Sequence, residues 1–121
     1  IRYILDRISA RERVGVCFDT CHGFAAGYDL RNMEAVQKTL EAFDKIIGLR
    51  LLKAIHINDS KGNLGSRIDR HEHIGMGFIG NEGFRAILHH QSLKDLPFIL
   101  ETPIDNRRDD VGNLRKVREL A

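Results

Sequence analysis

The stretch VGVCFD, residues 14–19, is an apolar run that stops on a side chain able to bind metal. Two further apolar stretches also end on a side chain able to bind metal, LLKAIH at residues 51–56 and PFILE at residues 97–101. A parallel strand buried on both faces is typically a continuous apolar run, and the chemistry of β/α barrels lies at the carboxyl ends of such strands. The three runs therefore predict parallel strands whose ends form one rim. The residues on that rim would be Asp19, His56 and Glu101.

The segments between these runs have the apolar spacing of helices. Asn32 is a candidate N-cap for a helix whose apolar side chains recur every three or four residues until Gly48. Asn81 is predicted to cap a second helix, and Asp109 or Asp110 to open a last one. Strands that alternate with helices predict βαβ units, right-handed crossovers and a parallel sheet.

Residues 58–80 interrupt this alternation. They hold five glycines and no sustained period, which predicts mostly loop with one short strand around residues 71–74. A closed eight-stranded barrel takes about 250 residues, whereas this chain has 121. The prediction is therefore an α/β fold of parallel strands, the C-terminal portion (about half) of a (β/α)8 barrel of the TIM type. It would form one domain over residues 1–121, without an internal boundary.

Composition argues against several classes of protein. No stretch approaches the ~20 apolar residues that span a bilayer, and the first ten residues lack the charged and apolar segments of a signal peptide. We therefore expect a cytoplasmic protein without a membrane partner. The net charge of +2 is too small to indicate a nucleic-acid binder by itself. Cys17 and Cys21 are predicted to pack as small apolar side chains rather than to bind metal.

Further metal-binding side chains lie close to the predicted rim. His22 follows Asp19 in a D-x-x-H pattern directly after a strand end. Asp69 and His71 can point the same way because side chains alternate along an extended segment. His22, Asp69 and His71 together would leave a catalytic zinc an open position for water or a phosphate oxygen. A second set of similar kind consists of Asp19, His56 and Glu101.

Each of these residues also has a structural interpretation. A single His at a strand end is more often hydrogen-bonded within the fold than bound to metal, and a lone Asp after a strand is most often a turn or a helix cap. Six such residues at three strand ends and one loop favour metal. Four neighbours lack a strand-end position and are predicted to lie behind the ligands or on the surface: Glu72, His73, His89 and His90.

Basic side chains fall in two groups along the chain. Lys61, Arg67 and Arg70 lie in the Gly-rich loop beside the predicted ligands. The second group is diluted by acidic neighbours, which predicts a solvated helix face. Its members are Arg107, Arg108, Arg115, Lys116 and Arg118.

Four long blocks of the sequence resemble those of endonuclease IV, the family-2 apurinic/apyrimidinic endonucleases. They are GVCFDTCHGFAAGYDL at residues 15–30, HINDSK at 56–61, GSRIDRHEHIGMGFIG at 65–80 and ILETP at 99–103. They cover nearly the whole chain in the order and spacing of the family. Several long blocks together are far more specific than any one short motif.

The resemblance implies a (β/α)8 barrel with a trinuclear zinc centre that nicks duplex DNA 5′ to an abasic site and leaves a 3′-hydroxyl. It implies one zinc site, complete in this chain, at His22, Asp69 and His71. A second ion would bind Asp19, His56 and Glu101, which are also the candidate catalytic residues, and Glu101 is placed to help hold the attacking water. A bridging Glu and two further His ligands would come from the N-terminal half of the barrel. The complete enzyme is expected to be a monomer.

For the DNA contacts, the resemblance points to the loops that follow the strands. Lys61, Arg67 and Arg70 are the candidates for phosphate contacts. In the alternative interpretation, Arg67 or Arg70 pairs with Asp69 or Glu72 and orients the ligands instead.

Two other functions remain open at the level of sequence. A sugar isomerase or epimerase on a related barrel would also use one Asp, one His and one Glu at successive strand ends, but it would have no use for the set of His22, Asp69 and His71. The other alternative is a non-enzymatic remnant that binds zinc and DNA. Because catalysis in the family is distributed over three metals, we expect the 121-residue chain alone to lack incision activity.

Overall fold

A sheet of three parallel strands organises the structure, a computed structural model that describes residues 1–121. The strands of the chain are β1 (Val16–Asp19), β2 (Leu52–His56), β3 (Asp59–Ser60), β4 (His71–Glu72) and β5 (Phe98–Ile99). The parallel sheet has the order β1-β2-β5, with Asp19 opposite His56 and His56 opposite Ile99. Because these strands run the same way, their carboxyl ends meet at one edge, as the three apolar runs predicted.

Five α-helices connect and flank the strands. They are α1 (Arg2–Leu5), α2 (Thr20–Ala25), α3 (Met33–Ile46), α4 (Gly80–His89) and α5 (Asp110–Leu120). The predicted cap of α3 is confirmed, since the side chain of Asn32 accepts from the N–H of Ala35 at 2.9 Å. Asp109 likewise caps α5 and accepts from the N–H of Gly112 at 2.7 Å. No helix is both long and apolar enough to cross a membrane.

The prediction for α4 is wrong at its start. The helix begins at Gly80, and Asn81 lies inside its first turn rather than at the cap. The buried carboxylate of Asp59 takes over the capping, because it accepts from the N–H groups of Ile79 at 3.0 Å and Gly80 at 3.4 Å. It also accepts from Gly75 and Gly77, at 3.0 and 2.9 Å. One acidic side chain therefore holds the whole loop that leads into α4.

The short strand expected around residue 71 exists, but it does not join the parallel sheet. β4 pairs antiparallel with β3, so Asp59 lies opposite Glu72 and Ser60 opposite His71. Residues 61–70 form the turn between them, which the sequence analysis treated as open loop. The hairpin carries His71 back to the edge where β1 and β2 end.

The hydrophobic core lies on one face of the parallel sheet, against the helices. Leu52 and Ile55 of β2 contribute to it together with Val36 of α3 and Phe84 of α4. Strand alternation puts Cys17 on the opposite face, and Cys17 is exposed because no layer of this chain covers that face. The packing predicted for Cys17 is therefore wrong, whereas Cys21 in α2 is fully buried as predicted.

Candidate metal centre

Six predicted ligands converge where the parallel strands end, and we call them the strand-end cluster. They are Asp19, His22, His56, Asp69, His71 and Glu101. Two trios within the cluster each bring three ligand atoms within 4.8 Å of one another. One trio consists of Asp19, His56 and Glu101, and the other of Asp19, His22 and His71. Residues from three strand ends, the short helix α2 and one hairpin therefore lie close together.

Asp19 belongs to both trios because its two oxygens face different ways. Its Oδ1 accepts from the backbone N–H of His22 at 2.8 Å and lies 3.1 Å from Nδ1 of the same residue. This contact makes Asp19 the N-cap of α2, a short helix that the sequence analysis did not anticipate. Its Oδ2 lies 3.8 Å from Nδ1 of His56 and 3.8 Å from Nε2 of His71. The carboxylate thus caps a helix with one oxygen and faces the cluster with the other.

His71 has one nitrogen bonded and one free. Its Nδ1 contacts the carbonyl oxygen of Glu101 at 2.9 Å, and because a carbonyl only accepts, Nδ1 carries the proton. The lone pair is therefore on Nε2, which is buried without a hydrogen-bond partner. Buried nitrogens are almost always bonded, and a ligating imidazole commonly donates its other N–H to a carbonyl in this way. The arrangement fits a divalent metal ion.

His56 and Glu101 come from neighbouring strands. Nδ1 of His56 lies 2.8 Å from Oε2 of Glu101, and both side chains remain partly open to solvent. An imidazole, a carboxylate and the shared Asp19 are ordinary donors for zinc. The open side leaves room for a further oxygen.

His22 and Asp69 form the outer part of the cluster. Nε2 of His22 lies 3.0 Å from Oδ1 of Asp69, which in turn lies 4.0 Å from Nε2 of His71. Partial burial by itself would lower the pKa of His22, but the Asp69 and Asp19 carboxylates outweigh it and raise that pKa. The hydrogen bond from His22 lowers the pKa of Asp69. The predicted set of His22, Asp69 and His71 is thus joined through Asp69, while Asp19 completes the tighter trio.

Cys21 lies beside this outer part. Its sulfur comes within 4.8 Å of ligand atoms of Asp69 and His71. Burial raises the pKa of the Cys21 thiol, and the sulfur lies 3.6 Å from the carbonyl oxygen of Arg70. A buried protonated thiol of this kind behaves as a packing residue.

Asn58 is a site residue that the sequence analysis missed. It is fully buried, its Nδ2 donates to Oδ2 of Asp19 at 2.9 Å, and its Oδ1 accepts from the N–H of Glu101 at 2.8 Å. Thr20 ties its backbone, with the hydroxyl donating to the Asn58 carbonyl at 2.6 Å and accepting from its N–H at 2.8 Å. The available signal was its position two residues after the strand-end His56.

Directly behind the cluster lies a second polar group, which we call the His73 bracket. It consists of Glu72, His73, Asp105, Arg107 and Asn113. His73 is fully buried, with Nε2 2.9 Å from Asp105 and Nδ1 2.9 Å from the Asn113 amide. Arg107 donates to both oxygens of Glu72, at 3.1 and 3.0 Å, and to Asp105. His73 therefore lies behind the ligands, one of the two positions predicted for it.

The bracket also corrects the prediction for the second basic group. Arg107 and Arg108 precede α5 and do not lie on a helix face, because Arg107 binds the bracket carboxylates and Arg108 donates to the carbonyl of Ile74 at 2.7 Å. Arg107 and then His73 hold the pKa of Asp105 well below its ordinary range.

The three predicted DNA contacts lie on the surface beside the cluster. Lys61, Arg67 and Arg70 are exposed, and none of them has a carboxylate partner within 4.0 Å. Arg70 donates only to the backbone carbonyl of Asp69, at 3.3 Å, while Glu72 is occupied by Arg107. The alternative pairing with Asp69 or Glu72 is therefore wrong. A role in binding phosphate stays a prediction.

The comparisons with known proteins point in one direction. The sequence model of a family described as xylose isomerase-like TIM barrel matches residues 1–120. A protein of Methanoculleus marisnigri named probable endonuclease 4 is 60% identical over 118 residues, a match covering 98% of this chain and 42% of that protein. An apurinic-apyrimidinic endonuclease of Caenorhabditis elegans is 50% identical over 103 residues, covering 85% of this chain and 26% of that protein.

Structure comparison agrees with the sequence matches. The crystal structure of endonuclease IV from Thermus thermophilus superimposes with a TM-score of 0.80 at 39% identity, covering 98% of this chain and 42% of that one. The chain therefore spans well under half the length of these relatives. That share agrees with the prediction of a partial barrel.

Proposed function

The chain belongs to the xylose isomerase-like TIM-barrel family, and from that premise we propose that it is part of a zinc-dependent endonuclease of DNA base-excision repair. The complete enzyme would hydrolyse the phosphodiester 5′ to an abasic site in duplex DNA and leave a 3′-hydroxyl. The observation that carries the proposal is the strand-end cluster, in which two trios of ligand atoms share Asp19. The relatives named endonuclease 4 and apurinic-apyrimidinic endonuclease support the same reaction.

Zinc is the metal that best suits these donors. Imidazole nitrogens combined with carboxylate oxygens are its usual ligands, and sites with three protein donors keep a position open. Following the family resemblance, we assign one ion to His22, Asp69 and His71, beside the trio that His22 and His71 form with Asp19, and a second ion to Asp19, His56 and Glu101. Bound divalent ions in such a cluster lower the pKa of water and neutralise the charge of the phosphate.

Asp19, Glu101 and His71 have different roles in the site, which follow from their positions. Asp19 faces both groups of ligands with one oxygen and is fixed by the N-terminus of α2 with the other. Glu101 lies on the open side of the cluster, where its carboxylate can hold a water molecule for attack on phosphorus. His71 presents a bare lone pair because its other nitrogen is held by a carbonyl. Such a site needs no nucleophilic side chain.

DNA would approach the cluster over the hairpin loop. Lys61, Arg67 and Arg70 lie on this exposed segment with no carboxylate oxygen within 4.0 Å, so their side chains can reach phosphates. Arg67 is held in a left-handed conformation with φ of 58°, and its N–H is bonded to the carbonyl of Ala25 at 3.0 Å. A backbone fixed in this way presents the Arg67 side chain at a defined place.

A nuclease accounts for the cluster better than a sugar isomerase does. An isomerase of this family would use one ion at Asp19, His56 and Glu101 and would leave His22 and His71 without a purpose. The unpartnered Nε2 of His71 belongs to the trio of Asp19, His22 and His71, which can hold a further ion. This favours phosphodiester hydrolysis, the reaction that uses more than one ion.

We further propose that the 121-residue chain alone binds zinc and duplex DNA but does not incise it. The chain spans 42% of the Methanoculleus relative, and the family resemblance expects three more ligands in the remaining part. The chain by itself would thus hold one complete set of ligands and part of another. Incision of an abasic duplex by the purified chain in zinc, lost in chelator, would contradict this part of the proposal.

The decisive test restores the rest of the barrel. The part of the Methanoculleus protein that the match leaves out would be joined to this chain, and the chimera assayed on a labelled duplex with one abasic site. We expect a nick 5′ to the site, a 3′ end that a polymerase extends, and loss of both with chelator. The same chimera carrying His71→Ala is the matched control. A folded chimera that binds zinc and leaves the duplex intact would refute the function.

A further inference from the structure

Asn58 lies between two carboxylate residues of the strand-end cluster that come from different strands. Its amide nitrogen donates to Oδ2 of Asp19 at 2.9 Å, after β1, and its amide oxygen accepts from the N–H of Glu101 at 2.8 Å, after β5. Asn58 itself follows β2, the central strand, and is fully buried. One side chain therefore joins the ends of all three parallel strands.

The chemistry of this position requires an amide. The Asp19 carboxylate can only accept and the Glu101 N–H can only donate, so the residue between them must donate at one end and accept at the other. A carboxylic acid of the same shape, ionised at neutral pH, would place two acceptors there and a negative charge against Asp19. The two neighbours also determine which end of the amide is oxygen.

Through these two bonds Asn58 reaches both trios. Oδ2 of Asp19 is the oxygen that faces His56 and His71, each at 3.8 Å. Glu101, whose N–H is held by Asn58, uses its own carbonyl to accept from Nδ1 of His71 at 2.9 Å. Asn58 holds the Asp19 carboxylate and the Glu101 backbone. The orientation of Asp19 and the tautomer of His71 therefore both depend on Asn58.

We propose that Asn58 is a positioning residue that sets the orientation of Asp19 and Glu101, and through Glu101 that of His71, for metal binding. The inference rests on the proposed function, because it concerns the same metal centre. Groups that hold metal ligands typically change metal affinity by about 10- to 100-fold when they are lost. Asn58 touches no reacting atom and acts only through its neighbours.

The test compares two changes of equal size at two fully buried asparagines. Asn58→Asp inverts the donor that faces Asp19, whereas Asn113→Asp makes the same change in the His73 bracket, outside the strand-end cluster. Co²⁺ is the probe, since its visible absorption reports the geometry of its ligands, and each variant is titrated alongside the unchanged chain. Urea unfolding in chelator gives the stability of each variant separately.

We expect Asn58→Asp to bind Co²⁺ about 10- to 100-fold more weakly and with an altered spectrum. Asn113→Asp should keep both affinity and spectrum, whatever its stability. An Asn58→Asp variant with unchanged affinity and spectrum would overturn the inference. If the unchanged chain bound no Co²⁺, the proposed metal site itself would fail, which is a different result.

A measurement without substitution covers the case in which Asn58→Asp does not fold. Nitrogen NMR of the metal-free chain reports which nitrogen of His71 carries the proton. The inference requires Nδ1, because Asn58 holds the Glu101 backbone whose carbonyl receives that proton. A proton on Nε2 in the folded, metal-free chain would overturn it.

Discussion

His71 and His73 are two residues apart, yet their imidazoles have opposite arrangements. His71 donates from Nδ1 to a carbonyl and keeps a buried Nε2 without a partner. His73 has both nitrogens bonded, because Nδ1 faces the amide of Asn113 and Nε2 faces Asp105. The first arrangement leaves a lone pair for a ligand, and the second leaves nothing. The difference separates a residue placed to bind from a residue that holds the fold.

The carboxylates of the two regions differ in the same way. Glu72 and Asp105 in the His73 bracket both bind Arg107, a permanent cation, and Asp105 also faces His73. Asp19 and Glu101 in the strand-end cluster face imidazoles, which are neutral when they serve as ligands. Carboxylates around neutral rings leave negative charge for a cation to balance.

The largest effect expected from this comparison is on metal binding. His71→Ala removes the unpartnered nitrogen at the centre of the cluster, so Zn²⁺ affinity should fall by more than the roughly 10- to 100-fold that loss of a supporting group costs. Calorimetric titration of the chain with Zn²⁺ measures it. His89→Ala is the control, since His89 lies outside the cluster and bonds only to the carbonyl of Arg85. Equal Zn²⁺ affinities for the two variants would show that His71 does not bind the metal.

The converse substitution should act on stability. His73→Ala leaves a cavity and removes the partner of buried Asn113, so the free energy of unfolding should fall by about 2 to 4 kcal/mol. Urea unfolding in chelator measures the loss without any contribution from bound metal. Under the same conditions the free energy of unfolding of His71→Ala should fall less, because His71 is only partly buried and loses a single hydrogen bond, from Nδ1 to the Glu101 carbonyl. A larger loss for His71→Ala would reverse the roles assigned to the two histidines.

The arginines extend the contrast to DNA. Replacing Arg67 and Arg70 by Ala removes two exposed charges without acidic partners, so the salt dependence of duplex binding should drop by up to about two counterions. Arg107→Ala should leave that slope unchanged and lower stability, since Arg107 is occupied by Glu72 and Asp105. Fluorescence anisotropy with an abasic duplex across a salt series measures the slopes. A slope lowered only by Arg107→Ala would contradict the assignment.

The smallest effect concerns acid stability. Arg107 and then His73 hold the pKa of Asp105 below its ordinary value of 3.8. As the pH falls, Asp105 is therefore protonated in the unfolded chain before it is protonated in the folded chain. Its contribution to the free energy of unfolding is complete above the ordinary pKa and is lost as the pH falls to the folded-state pKa. Asp105→Asn should flatten the decline in urea midpoint between about pH 5 and pH 2 in chelator. Equal declines in both proteins would show that the bracket carries no such linkage.

The parallel strands, and the side chains that meet where those strands end, could be predicted because both depend on local sequence. Buried parallel strands leave apolar runs, and Asp19, His56 and Glu101 end those runs. The start of α4 could not, because its capping carboxylate, Asp59, is 21 residues from Gly80 and acts through the fold. Nor could the role of Asn58, since an Asn after a strand is ordinary and its partners lie at two other strand ends.

His71 and His73 also show that long-range partners are not contained in a local sequence pattern. The sequence predicts His71 as a ligand and His73 behind the ligands or on the surface, which already separates the two histidines. Their spacing alone would put both on one face of an extended segment, and the physical difference comes from partners in the loop after β5 and in α5. Asn113 and Asp105 are more than thirty residues away, so no local pattern contains this information. Long-range partners decide which histidine is available to a ligand.

The carboxylate of Asp59, which gathers the N–H groups leading into α4, restricts how this part of the chain can evolve. A side chain at Gly77 would place its Cβ 2.4 Å from the carbonyl oxygen of Ser60 and 2.5 Å from Oδ1 of Asp59. Even a methyl group would push out the acid that organises the loop. Packing alone therefore excludes substitution of Gly77, and Gly77 and Asp59 must be retained together for the loop to keep its conformation.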